Sequence, residues 1–250
     1  MIPVVGIALT LAIELALGLR GQFVFNPSYL LLGLSSIFLV IELFVAYLSA
    51  KGYLITGSLT LLFITISFFL ISIIGIMNGY LATLSPNWGV TVFAVGFLVF
   101  AVLQFSSSFQ ASFRSVPFGS EHRKIRLTLA CSLAMIAVAT ISLLTVLNVF
   151  PTFFINGVGV TLTDQAVYSI IVVLLSLSAV LFLRQYLKSK STVLYWYTLA
   201  LVLDAIGSFG LTLQARFSDI VVWTGRLGLY VAAIYFLIAL LSTKKENNEV

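Results

Sequence analysis

The stretch Asp219-Ile-Val-Val-Trp-Thr-Gly-Arg226-Leu-Gly-Leu-Tyr230, which then runs apolar to Leu241, decides how the chain is read. It is long enough to cross the ~30 Å hydrocarbon layer of a bilayer as one helix. It also carries a charge inside that layer. Arg226 sits roughly seven residues into the segment, or roughly 10 Å below the surface at about 1.5 Å per residue. A charge at the centre of a membrane helix costs about 2.5–3.5 kcal/mol on insertion scales. Arg226 is therefore expected to have a partner elsewhere in the bundle.

The rest of the chain has the same character. Of its 250 residues, 61% are hydrophobic and only 8% charged, whereas soluble domains carry about 25% charged residues. The apolar runs are continuous rather than alternating, which excludes a β-barrel. The fold class is all-α, a polytopic transmembrane helical bundle. Eight segments each approach the ~20 residues that span hydrocarbon: Ile2–Leu19, Tyr29–Ala50, Tyr53–Met77, Trp88–Ser112, Arg126–Phe150, Ala166–Leu187, Val193–Ala215 and Asp219–Ser242. Residues 1–243 read as a single transmembrane domain and residues 244–250 as a short polar cytoplasmic tail. No Lys or Arg precedes the first run, and Gly18-Leu-Arg20-Gly21 makes a poor cleavage site, so that run is expected to remain as a helix.

The net charge of +5 does not point to nucleic acid, because its distribution is topological. Of the 13 Lys and Arg residues, all but Arg20, Arg216 and Arg226 fall on the side of the termini. Lys51, Arg114, Arg123, Lys124 and Lys244 are among them. The positive-inside rule then places both termini in the cytoplasm. Tyr29, Tyr80, Trp88, Tyr168 and Trp223 at one set of helix ends, and Tyr47, Tyr53, Tyr186 and Tyr197 at the other, are expected to form aromatic belts. Connections are short. The longest on the outer side, Phe150 to Asp164, carries a Phe153-Phe154-Ile155 run expected at the interface and ends in Thr163 or Asp164 as a cap for helix 6.

Cys131 is the one cysteine and His122 the one histidine. No disulfide, haem or metal centre can be assembled from such a set, and no cofactor is expected. Every lysine lies at a membrane edge, which excludes a retinal Schiff base within a late helix. No nucleophile–base pair is visible, so an enzyme is not expected.

Four ionisable residues lie inside the spans: Glu14, Glu42, Asp204 and Arg226. Such residues face the bundle interior and mark either a buried structural pair or a functional site. Depth lets both Asp204 and Glu14 reach Arg226, and the short Arg216-Phe-Ser link between helices 7 and 8 makes Asp204 the first partner and Glu14 the second, while Glu42 falls in the inner half of its helix and out of reach. Tyr230 stands one turn from Arg226 and can share its site. One arginine cannot neutralise three carboxylates. The polar end of helix 4, Gln104 to Ser112, reads either as a wetted terminus or as a cavity or docking surface. The basic loop with Arg114, Arg123 and Lys124 is the candidate contact for a cytoplasmic partner.

The second half carries a family resemblance. Phe150-Pro-Thr-Phe-Phe-Ile-Asn-Gly-Val-Gly-Val-Thr161, then Gly207-Ser-Phe-Gly-Leu-Thr212, then Trp223-Thr-Gly-Arg226-Leu-Gly-Leu-Tyr230 resembles the membrane-associated sensor (MASE-type) domains over about residues 150–240. The resemblance implies a membrane input domain that precedes PAS, histidine kinase or diguanylate cyclase modules. It places Arg226 at a basic position of the last helix and Tyr230 at an aromatic one. Where such domains carry membrane histidines, this chain has Gln104 and Trp223, which removes a histidine- or metal-based sensing mechanism. No output module lies within residues 1–250.

Three functions stay open on the residues. The first is a sensory input domain relaying a ligand or membrane signal to a cytoplasmic or membrane protein partner. The others are a hydrophobic subunit of a larger membrane complex and a small proton-coupled transporter. The bilayer is the common partner of all three, nucleic acid of none, and a homo-oligomer is compatible with each.

Overall fold

The computed structural model describes residues 1–19, 28–113, 122–217 and 219–246, the side chains of residues 28 and 243–246 excepted. Eight helices follow one another: α1 (Ile2–Ala16), α2 (Ser28–Thr56), α3 (Leu59–Leu84), α4 (Pro86–Phe113), α5 (Arg123–Val146), α6 (Leu162–Ser189), α7 (Thr192–Thr212) and α8 (Ile220–Glu246). Between α5 and α6 lies a hairpin of two-residue strands, β1 (Phe154–Ile155) and β2 (Gly159–Val160), paired antiparallel. Seven of these helices, α2 to α8, are long and apolar enough to cross a membrane. The expected all-α polytopic bundle is thus present. The 15 residues of α1 reach only about 22 Å, short of a full crossing, because the helix breaks into a turn at Leu17 and Gly18.

Two helix ends differ from the apolar segments. α2 continues through Lys51 to Thr56, and the turn falls at Gly57, which takes a φ of 74°. Lysine is a good helix former whose ammonium snorkels out at a membrane edge, so Lys51-Gly52 does not stop the helix. In consequence Glu42 sits at the middle of the 29-residue α2. At the other boundary α5 ends at Val146 instead of Phe150, where Asn148 turns the chain at a φ of 53°.

Helices α2, α3, α4, α6, α7 and α8 form a closed ring, each packed on the next and α8 returning to α2. α5 lies outside against α3 and α4, and α1 lies outside against α8 and α7. The ring closes most tightly at α7–α8. A Cβ on Gly207 would stand 2.7 Å from the Gly225 carbonyl oxygen, and one on Gly225 would stand 2.7 Å from the Gly207 carbonyl oxygen. Only glycine lets two backbones approach so closely, the usual device of membrane helices that lack a hydrophobic driving force between them.

One end of the ring is covered by the hairpin. Asn87 Oδ1, at the start of α4, accepts from the Phe153 amide at 3.0 Å and the Phe154 amide at 2.9 Å. The Val160 amide donates to the Gln214 carbonyl at 3.2 Å. Gly159, at a φ of +107°, lies so close to the α7–α8 turn that a Cβ would meet the Ala215 carbonyl oxygen at 2.6 Å. Phe153 and Phe154 are consequently buried in the protein, with only Ile155 left exposed. The cap of α6 is Thr161, whose Oγ1 accepts from the Asp164 amide, and neither Thr163 nor Asp164 serves. Tyr53, Tyr168 and Tyr197 are also buried by neighbouring helices, so they do not belong to the aromatic belts.

Toward the opposite end the ring is crossed by a polar layer. Gln104 Nε2 donates to Ser67 Oγ at 3.0 Å and its Oε1 accepts from the Tyr197 hydroxyl at 2.7 Å, joining α4 to α3 and α7. Gln185 Nε2 of α6 donates to Ser112 Oγ at 2.9 Å. Gln104, Ser107 and Ser108 are fully buried, so the polar end of α4 is interhelical adhesive and no wetted terminus. Tyr197→Phe leaves the Gln104 carbonyl oxygen without a donor and is expected to lower stability by about 1 kcal/mol. Unfolding in mixed micelles measures this, and an unchanged midpoint would show that the layer holds nothing.

Candidate functional site

The ring holds a partly open cavity of about 60 Å³ walled by α2, α3, α4, α7 and α8. Its polar wall is made by Glu42 and Ser35 of α2, Asn78 of α3, Asp204 of α7, and Arg226 and Tyr230 of α8. Its apolar wall is aromatic, with Phe93, Phe97 and Phe100 rising from α4. At roughly 10–15 Å³ per water-sized position, it has room for about four waters. That is well below the roughly 300–1,000 Å³ of sites for drug-sized ligands.

The sequence places each charged group by simple means. Asp204 and Glu42 lie near the middles of α7 and α2, so they meet at one level of the ring. Each Cα–Cβ bond on α8 tilts toward its N-terminus, and Arg226 and Tyr230 lie one turn apart on one face. The Arg226 guanidinium accordingly reaches the Tyr230 hydroxyl. Its carbon also lies 5.9 Å from the centroid of the Trp223 ring. The Tyr230 ring is held from its other side by Phe38 of α2, stacked at 4.2 Å between centroids. Below the cavity, Phe68 packs edge-on against Phe100 at 5.5 Å and Phe236 at 4.8 Å, a floor that separates the cavity from the Gln104 layer.

Four of the five membrane residues singled out from the sequence therefore share one wall: Arg226, Asp204, Glu42 and Tyr230. Glu42 reaches the site because α2 is longer than its apolar run, so the residue is central and lies close enough for its charge to act on Asp204. Asp204 and Arg226 face one cavity without an ion pair between them among the described residues. Glu14 is elsewhere. Its Oε1 accepts from the Thr224 hydroxyl at 2.7 Å and fastens α1 to α8, while Oε2 has no hydrogen-bond partner.

The basic residues have a different setting. Arg123 Nη1 donates to the carbonyls of Leu54 at 3.1 Å and Ile55 at 2.7 Å, closing the C-terminal end of α2 from the start of α5. Lys124 beside it is exposed. Arg114 lies outside the described residues.

Three features escaped sequence reading. Asn78 is a lone amide in an otherwise apolar helix, a signal that was there to be taken. Gly225 makes the closest approach of α8 to α7. Asp164 looked like a surface cap yet is wholly buried with neither carboxylate oxygen hydrogen-bonded, since the hairpin covers the start of α6.

A closed ring of membrane-length helices around a small charged cavity defines a polytopic membrane domain with an internal polar site, a construction suited to sensing or coupling. The chain belongs to the MASE3 family of membrane-associated sensor domains, whose family model matches residues 29–246. The match begins in α2 and runs through α8, so it contains the whole ring and the cavity, and α1 precedes it. No curated protein and no solved structure matches the chain.

Proposed function

We propose that this sensor domain takes its input at the cavity of Arg226, Asp204, Glu42 and Tyr230, and that α8 relays the change to a cytoplasmic protein partner. The observation that carries the reading is the double role of α8. Among the described residues it supplies the one cation of the cavity wall, and the phenol beside it. It also supplies Phe236 of the floor and then runs on to Glu246 at the far end of the ring. A change in the charge or occupancy of the cavity therefore acts directly on the helix that leaves it, and a sensor needs two arrangements that its input can bias.

The charge asymmetry of the loops supports the end of α8 on the cytoplasmic side. There the exposed Lys124, beside Arg123 at the start of α5, offers a basic contact to a partner. Residues 1–243 form the membrane unit in this reading, and residues 244–250 lead from it into the cytoplasm.

The test is a distance. Spin labels at Ser242 on α8 and Ser58 at the start of α3, in a Cys131→Ser background, report how the end of α8 sits against the ring in nanodiscs. Asp204→Asn is expected to shift the distance distribution, because it alters the charge that Arg226 meets. A distribution that stays the same in Asp204→Asn and in Glu42→Gln would overturn the relay.

A further inference from the structure

The cavity wall has a charge imbalance. Two carboxyl groups, Glu42 and Asp204, face one guanidinium, and that guanidinium is already turned to the Trp223 ring and the Tyr230 hydroxyl. An anionic occupant would meet a single cation that is already engaged, beside two carboxyl groups whose ionisation it opposes. A neutral apolar occupant would fill the space but leave both carboxyl groups without a donor, held in their neutral form. A cationic occupant satisfies both. It balances the second carboxylate, and its N–H groups can donate to carboxylate oxygens arriving from α2 on one side and α7 on the other.

The remaining wall narrows the kind of cation. Phe97 and Phe100 of α4, Phe38 of α2 and Phe236 of α8 line the cavity, and aromatic rings attract ammonium groups that reach them. Hard metal cations need a full shell of oxygen ligands, and here much of the shell is aromatic carbon. Among the described residues no cluster of three or more His, Cys, Asp or Glu side chains could hold a metal ion. The volume of about 60 Å³ holds about four water-sized positions, which suits ammonium or a methylated ammonium and excludes a larger amine.

We propose that the cavity is a binding site for a small ammonium cation, held between Glu42 and Asp204 against the phenylalanine wall, with Arg226 and Tyr230 as the wall that its binding displaces. This rests on the cavity being the input site, and it names the chemical class of the input. The ion is drawn to the two carboxyl groups and repels the guanidinium, so it presses Arg226 further against Trp223. Charge is thereby converted into movement of α8.

The experiment uses the full chain in nanodiscs at one fixed pH and constant ionic strength. Ammonium and methylammonium chloride are titrated against potassium chloride, with thermal unfolding and calorimetry as readouts. Ammonium and methylammonium are expected to raise the unfolding midpoint where potassium does not. Glu42→Gln and Asp204→Asn, which keep side-chain shape, are each expected to weaken binding about tenfold or more through loss of a charge-assisted hydrogen bond. Equal effects of potassium and ammonium would overturn the aromatic-cage assignment. Absence of any cation effect, together with stabilisation on acidification that Glu42→Gln abolishes, would make the proton the occupant and overturn the ammonium proposal while leaving the input site intact. If neither cations nor pH act through Glu42 and Asp204, and the α8 distances also stay unchanged in their variants, both the ammonium proposal and the reading of the cavity as input site fall.

Discussion

Valine in place of Gly225 is expected to force α7 and α8 apart and to produce the largest loss of stability of any single change in the ring. The added Cβ alone would stand 2.7 Å from the Gly207 carbonyl oxygen, and the obstacle is backbone, which cannot rotate away as a side chain can. Overpacking in a well-filled interior costs about 1–3 kcal/mol, and more where nothing can yield, so the upper end of that range is expected. The damage also reaches the cavity, since Asp204 lies one turn before Gly207 and Arg226 directly follows Gly225. The control is Gly33→Val on α2, where an added Cβ meets nothing within 4 Å and where the effect should stay within about 0.5 kcal/mol. Unfolding of both variants in mixed micelles decides the matter. Equal midpoints for the two would mean that the close approach of α7 and α8 contributes nothing.

Arg226→Leu is the second large effect. Its direct contacts are modest: a cation–π contact with Trp223 is worth about 0.5–2 kcal/mol, and the hydrogen bond to Tyr230 within α8 about 1 kcal/mol. The greater loss is electrostatic, because Glu42 and Asp204 would then face one buried cavity with no cation at all. Removing one member of a directly paired buried charge set costs about 3–5 kcal/mol, most of it the penalty of the charge left behind, and a smaller loss is expected here, where Arg226 faces the carboxyl groups across the cavity without an ion pair. That origin makes a specific expectation about rescue. Combining Arg226→Leu with Glu42→Gln and Asp204→Asn should recover most of the lost stability, a coupling far outside the additivity seen for independent sites. If the triple variant is less stable than Arg226→Leu alone, the carboxyl groups are not the partners of Arg226. The same series, read by the spin-label distance at Ser242, separates the structural role from the relay, since a restored fold without a restored α8 position would place the signal in the charges themselves.

Much of the bundle was legible in the order of residues. Continuous apolar runs allow only a membrane helix, because every backbone donor and acceptor must be satisfied within the segment. The identity of the charged residues was legible for a related reason. A charge within a span is rare and expensive, so Arg226, Asp204 and Glu42 announce themselves in any apolar sequence. Their grouping was less so. Depth counted along an apolar run put Glu42 beyond the reach of Arg226, because hydropathy saw Lys51 as an end while the backbone carried the helix on to Gly57. Asp204 and Glu14 appeared as equal candidates by depth, and only rotation about the helix axes sends one into the cavity and the other to Thr224. Gln104 was visible as polar but not as buried, since burial depends on Tyr197 and Ser67 arriving from two other helices.

What the sequence determined by itself is the class of the molecule, its helices and the short list of charges that a membrane interior would have to accommodate. These depend on one-dimensional quantities, namely run length, hydropathy and the cost of a charge in hydrocarbon. Only the tertiary structure decided which of those charges stand together around a cavity, that the hairpin buries Asp164, and that Gly207 and Gly225 bring two backbones into contact. Those outcomes depend on how α2, α7 and α8 are rotated and offset against one another. That is set by small-residue packing between residues far apart in the chain, and it leaves no period in any single helix from which it could be read.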